Sequence, residues 1–238
     1  MNSTTDRSGS KHQASAGFTL LELLVILGTL AIGAVLLTPT LARTQPGGKT
    51  FQCLNNHRQL CRAWLMYADD SSDWLLDARK FGTAALYPYL GSNSAVYKCP
   101  GDPTTTSRSV SMNGYIGQDS FNNPAYIGYT TLASMTRPGP AKILVILDEN
   151  ANSINDGFFA VDMTGFDPSQ PSAQAFVDIP AAYHNNSCGL SFADGHSEAH
   201  KWRDPRTITA QTFNASPNNG DVAWIQEHTT RKLNNPTR

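Results

Sequence analysis

Histidine, cysteine and aspartate crowd the stretch from His184 to His200, a mixture whose chemistry is metal binding or proton transfer. The candidate zinc ligands are His184, Cys188, Asp194, His196 and His200. Their spacing argues against one shared ion. His196-Ser197-Glu198-Ala199-His200 lacks the Glu directly after the first His that the helical zinc-protease motif requires. On a strand, residues four apart lie about 13 Å apart, too far to share an ion. A serine hydrolase holds its nucleophile on a sharp strand-to-helix turn, and no G-x-S-x-G occurs here. Neither zinc binding nor catalysis is expected. The role assigned to His184 and Asp194 is structural: both brace a hairpin by bonding nearby backbone.

Two other groups carry chemistry. Asp69, Asp70 and Asp73 supply the oxygen ligands that calcium takes. The alternating acids around a central Gly are absent, so the reading is a solvated turn, and no cofactor is expected. Glu22 is the one carboxylate in an apolar run from Phe18 to Leu37. A lone carboxylate in such a run costs a few kcal/mol, so it calls for a partner and a role.

The elements that position these residues follow from pattern. Residues 18–37 as a helix span about 30 Å, the thickness of a bilayer's hydrocarbon core. Before them lies a polar leader with Arg7 and Lys11. After them Pro39 kinks the helix, and Gln45-Pro46-Gly47-Gly48 breaks it. Thr50 caps a second helix to about Ala68, with a stripe of Leu54, Cys61, Leu65 and Ala68 widened by Leu60 and Trp64. Strands are expected at Ala95–Lys98, Ser109–Asn113, Lys142–Asp148 and, more weakly, Gly157–Val161. His184 is followed by the nine residues 185–193 and then Asp194-Gly195. The dipeptide reads as a two-residue hairpin turn, with positive φ at both positions, between Gly189–Ala193 and His196–Trp202. Asp221–Thr229 reads as a terminal helix. The net charge is −1 with no basic cluster, so nothing argues for a nucleic-acid partner.

Gly17, an aromatic, Thr19 and Glu22, leading an apolar run with Pro39 beyond its end, resemble the N-terminus of type IV prepilins and type II secretion pseudopilins. Cys53-Leu54-Asn55-Asn56-His57-Arg58-Gln59-Leu60, Met66-Tyr67-Ala68-Asp69-Asp70 and the His184…Asp194-Gly195 spacing resemble a large bacterial group of pseudopilin-like proteins. The resemblance implies that a prepilin peptidase cuts between Gly17 and Phe18, and that the new Phe18 amine is N-methylated. In a filament, Glu22 then faces the Phe18 amine of a neighbouring subunit. The group commonly has cysteines matching Cys53 and Cys99, which implies a disulfide between them. A helix over residues 50–68 puts Cys53 and Cys61 about 12 Å apart along its axis, beyond the roughly 7 Å a disulfide allows. Cys61 and Cys188 remain open between a second bond and buried thiols.

The expected fold is α+β and pilin-like, a long N-terminal helix against a small antiparallel sheet. Residues 1–17 form the leader, 18–45 the membrane and filament-core helix, and 46–238 the exported domain. The expected function is a structural, non-enzymatic subunit of a type II secretion-like or type IV pilus-like machine. It is anchored once in the inner membrane, and its partners are the prepilin peptidase, other pilin subunits and an assembly platform. The rival is an anchored binding module that uses the signal only for sorting. An exposed cluster of Tyr87, Tyr89, Tyr115 and Tyr126 would favour that rival.

Overall fold

A computed structural model describes residues 19–117, 123–167, 169–210 and 213–233, with the side chains of 31–47 outside the description. Gly17 and Phe18 lie outside the described residues. The chain divides into two units, Met1–Gln45 and Pro46–Arg238.

Helix α1 is Leu20–Asp70. Its first turn is closed by Thr19 and Glu22. The Glu22 carboxylate accepts the Thr19 N–H at 2.9 Å and the Thr19 hydroxyl at 2.9 Å, while the Glu22 N–H donates to that hydroxyl at 3.3 Å. This reciprocal pair satisfies donors that a helix start otherwise leaves bare. Large apolar side chains from Leu20 (79% exposed) to Leu30 (64%) stay uncovered. Among the described residues, no helix is long and apolar enough to cross a membrane; Phe18 and the side chains of 31–47 fall outside that set. Pro46, expected at a break or hinge, lies within α1 and does not end it. Proline removes one i→i−4 bond, a loss that bends helices more often than it ends them. Thr50 is accordingly mid-helix and caps nothing.

The second unit is built on a mixed sheet. Its strands are β1 (Val110–Asn113), β2 (Leu144–Asp148), β3 (Phe158–Phe159), β5 (Ser187–Phe192) and β6 (Ser197–Lys201), in the order β3-β1-β2-β5-β6. All neighbours are antiparallel except β1 and β3. A separate pair joins β4 (Ala175–Phe176) to β7 (Asn214–Ala215). Two short helices, α2 (Pro205–Thr209) and α3 (Gly220–Thr229), complete the unit. Asn219 caps α3, its side chain accepting the Asp221 N–H at 2.8 Å. The α+β class is as expected.

The sheet has a core on each face. One gathers Leu60, Cys61, Trp64 and Ala68 of α1 with Met112 and Val145. The other gathers Leu147, Leu190, Phe192 and Trp202 with Val222 and Ile225 of α3. That is why Cys188 to Phe192 of β5 are all buried rather than alternating between core and solvent. The segment Ala95–Lys98 is not a strand. Residues Ser94–Tyr97 form a 3₁₀ turn, started by Asn93 accepting the Ala95 N–H at 3.2 Å and closed by the Lys98 N–H on the Ala95 carbonyl.

Candidate functional site

Four elements of the second unit deliver polar side chains to one buried point. From α1 come Cys53 and, one turn later, His57. The buried line of that helix is Cys53, His57, Leu60, Cys61, Ala63, Trp64 and Ala68, so the stripe read from sequence is rotated. Leu54 and Leu65 are only half-buried. From the end of β2 comes Asp148, wholly buried. A turn at Cys99-Pro100-Gly101 brings Cys99, held by its N–H on Ser109 Oγ at 2.6 Å and by Asn56 of α1 donating to the Lys98 carbonyl at 3.1 Å.

His184 arrives through a tight turn. Asn185 (φ 53°) and Asn186 (φ 64°) are both left-handed, and His184 and Ser187 exchange backbone bonds at 3.2 Å each way. This is the two-residue hairpin geometry that asparagine tolerates. Asp194-Gly195 makes a different turn. Only Gly195 is left-handed (φ 93°), and its N–H bonds the Phe192 carbonyl at 2.9 Å. Asp194 caps the loop by accepting the His196 N–H at 3.1 Å and contacts the His196 ring at 2.5 Å. Asp194 thus works locally at the hairpin, while His184 turns away from it into the buried cluster.

The geometry within the cluster is close. The Cys53 thiol donates to Asp148 Oδ2 at 3.1 Å. Cys99 Sγ lies 3.0 Å from His184 Nε2, which is 3.8 Å from Asp148 Oδ2. His57 Nε2 pairs with Asp148 Oδ1 at 3.1 Å, and Gly189 of β5 donates its N–H to Asp148 Oδ2 at 2.9 Å. The far nitrogens are also engaged, His57 Nδ1 with Ser191 Oγ at 3.2 Å and His184 Nδ1 with Thr50 Oγ1 at 3.3 Å.

Charge follows from these contacts. Burial opposes ionisation of Asp148, but His57, the Cys53 thiol and the Gly189 N–H outweigh it and hold the carboxyl below its usual range. The Cys53 thiol beside it pulls Cys99 down to about 7, with help from His184. Cys53 itself is pushed up by Cys99, by burial and by Asp148. Burial opposes the His184 cation, yet the Cys99 sulfur and Asp148 raise it above its ordinary value.

All four cysteines are free in the structure. Cys53 and Cys99, expected to be bonded, are close neighbours but not joined, each contacting another partner: the Cys53 thiol donates to Asp148, and Cys99 Sγ lies against His184 Nε2. Cys61 and Cys188 are buried thiols on the carbonyls of Phe192 (3.3 Å) and Asp148 (3.2 Å). Of the residues weighed for zinc, only His184 reaches the cluster; His196 and His200 sit on Phe192 and Trp224 rings. Of the acidic loop, Asp70 accepts the Tyr89 hydroxyl at 2.9 Å, and Asp73 accepts the Ala133 N–H at 3.2 Å. Among the described residues, the group with donor atoms close enough to share an ion is Cys53, Cys99, Asp148 and His184.

No family model, curated protein or solved structure matches this chain.

Sequence reading missed His57 and Asp148. Two signals pointed to them. Asp148 ends the most apolar strand, where an unpartnered carboxylate costs most. His57 stands four residues after Cys53, on the same side of a helix.

Proposed function

We propose that the protein is a pseudopilin-like structural subunit, anchored by the start of α1 and assembled through that helix into a filament of a type II secretion-like or type IV pilus-like machine. The observation that carries this reading is the surface of α1. Leu20, Leu21, Leu23, Leu24, Val25, Leu27 and Leu30 are all exposed, so apolar groups face outward around the helix. Such a helix is stable only against lipid or against other apolar helices. Thr19 also gives the Glu22 carboxylate local donors, which lowers the cost of holding it in a low-dielectric place before a neighbour's amine arrives.

The tyrosines meet neither arm of the comparison, since an exposed cluster would favour the binding module and burial of all four the structural subunit. Tyr115 is buried, and Tyr87, Tyr89 and Tyr126 are half-buried against the two cores. They form no exposed aromatic cluster.

Replacing Glu22 by Ala tests the proposal with three readouts in one strain. Mass spectrometry should still find a methylated Phe18 at the mature N-terminus. The membrane-bound share should be unchanged or larger. The sedimentable filament share should fall, because the incoming subunit loses the charge that registers it. Normal filament assembly by Glu22→Ala would reject the charge-pairing account, and a mature terminus elsewhere than Phe18 would reject the pilin reading.

A further inference from the structure

We propose that Cys53, Cys99, Asp148 and His184 bind one zinc ion as a closed structural centre. The four donor atoms are Cys53 Sγ, Cys99 Sγ, an Asp148 carboxylate oxygen and His184 Nε2, all within 4.8 Å of one another. A tetrahedral zinc with ordinary bond lengths sets sulfur, nitrogen and oxygen ligands about 3.3 to 3.8 Å apart. The separations Cys99–His184 (3.0 Å), Cys53–Asp148 (3.1 Å) and His184–Asp148 (3.8 Å) fall in or just below that range. Two sulfurs select zinc over calcium or magnesium. Four protein ligands fill the coordination sphere and leave no position for substrate, which separates a structural centre from a catalytic one.

The surroundings are those of a metal site. His184 presents Nε2 to the cluster while Thr50 Oγ1 holds Nδ1, the second contact that fixes a ligating imidazole. Asp148 is oriented by His57 and by the Gly189 N–H. The Gly101 N–H lies 3.4 Å from Cys99 Sγ and favours the thiolate. Two glycines make the room. A Cβ on Gly101 would come within 2.7 Å of the His184 ring, and one on Gly189 within 2.8 Å of Asp148. On binding, the Cys53 and Cys99 protons leave to solvent. The ion then ties α1, the Cys99 turn, the end of β2 and the turn before β5 together.

The test uses the full chain, solubilised in detergent and purified from zinc-replete cells in reducing buffer. Elemental analysis should find close to one zinc per chain. Both Cys53 and Cys99 should resist alkylation until a chelator is added. Growth on cobalt should give protein with thiolate-to-cobalt charge-transfer absorption. Cys99→Ser and His184→Gln should lose the metal, Cys61→Ser should keep it, and Thr50→Val should weaken binding about tenfold as a supporting contact. Should the ligand variants misfold, wild-type metal content and chelator-dependent alkylation still decide. Wild-type protein without stoichiometric metal overturns the proposal. So does native material in which peptide mapping joins Cys53 to Cys99.

Discussion

His57 Nε2 lies 3.1 Å from Asp148 Oδ1, and both side chains are fully excluded from solvent. Removing one member deprives the other of a hydrogen-bond partner where no water can replace it, at a cost of about 1–3 kcal/mol. His57→Ala and Asp148→Ala should each lower stability by that order in denaturant titrations. The double variant should lose less than the sum, with coupling on the order of 1–3 kcal/mol. Additive losses would show that the two residues act independently.

Gly189 and Gly220 should respond oppositely to alanine. A Cβ at Gly189 would meet Asp148 Oδ2, His57 Cδ2 and His57 Nε2, all at 2.8 Å, whereas one at Gly220 meets nothing within 4 Å. Gly189→Ala should cost about 1–3 kcal/mol through overpacking. Gly220→Ala, at the start of α3, should be neutral or stabilising by up to about 1 kcal/mol. Urea midpoints of the two variants check both.

Asp178 gives the unit a pH dependence of definite sign. Burial, aided by the Asp156 carboxylate, pushes its carboxyl from the ordinary 3.8 up to about 6, although the Ala160 N–H donates to it at 2.6 Å. The folded chain keeps a proton that the unfolded chain releases, so stability from this group falls as pH rises from about 4 to about 6. Asp178→Asn keeps an acceptor for Ala160 and removes the titration. Its stability should decline less than wild type across that window, measured by thermal melts at successive pH values.

Thr19→Val removes the two bonds its hydroxyl makes with Glu22 while leaving the Thr19 backbone N–H on the carboxylate. In the proposed subunit, cleavage after Gly17 should be unaffected, and the sedimentable share should fall less than in Glu22→Ala. An equal fall would mean that the hydroxyl, rather than the charge, does the registering.

Much of the fold was legible because apolar pattern and turn chemistry agree. Lys142–Asp148 is continuously apolar because β2 lies between two cores, and Asp221–Thr229 carries its cap in Asn219. The Asp194-Gly195 turn joins β5 to β6 where it was read, though only Gly195 is left-handed, and the turn before β5 was not read at all. Asn185-Asn186 adopts the paired left-handed geometry with no glycine at all. The site was half legible. Cys53, Cys99 and His184 stood out by type, but spacing along the chain says nothing about which distant residues converge. Asp148 and His57 read as a strand end and a helix residue until α1 is laid across the sheet. The thiols were read as a pair for bonding to each other, because a sequence does not show the carboxylate and imidazole that compete for them.

The order β3-β1-β2-β5-β6 leaves two edges, and both are poor templates. β3 is two residues long with both side chains buried. β6 is mostly polar, with Glu198 and Lys201 exposed along it. Charged and very short edges resist strand-to-strand zippering between copies. Among the described residues, neither edge of this five-stranded sheet offers a second copy a long open ladder to extend. Strand addition is disfavoured at both edges of this sheet, and the longest run of exposed apolar side chains lies on the first turns of α1, with Phe51, Met66, Trp74, Phe213 and Leu233 exposed singly elsewhere.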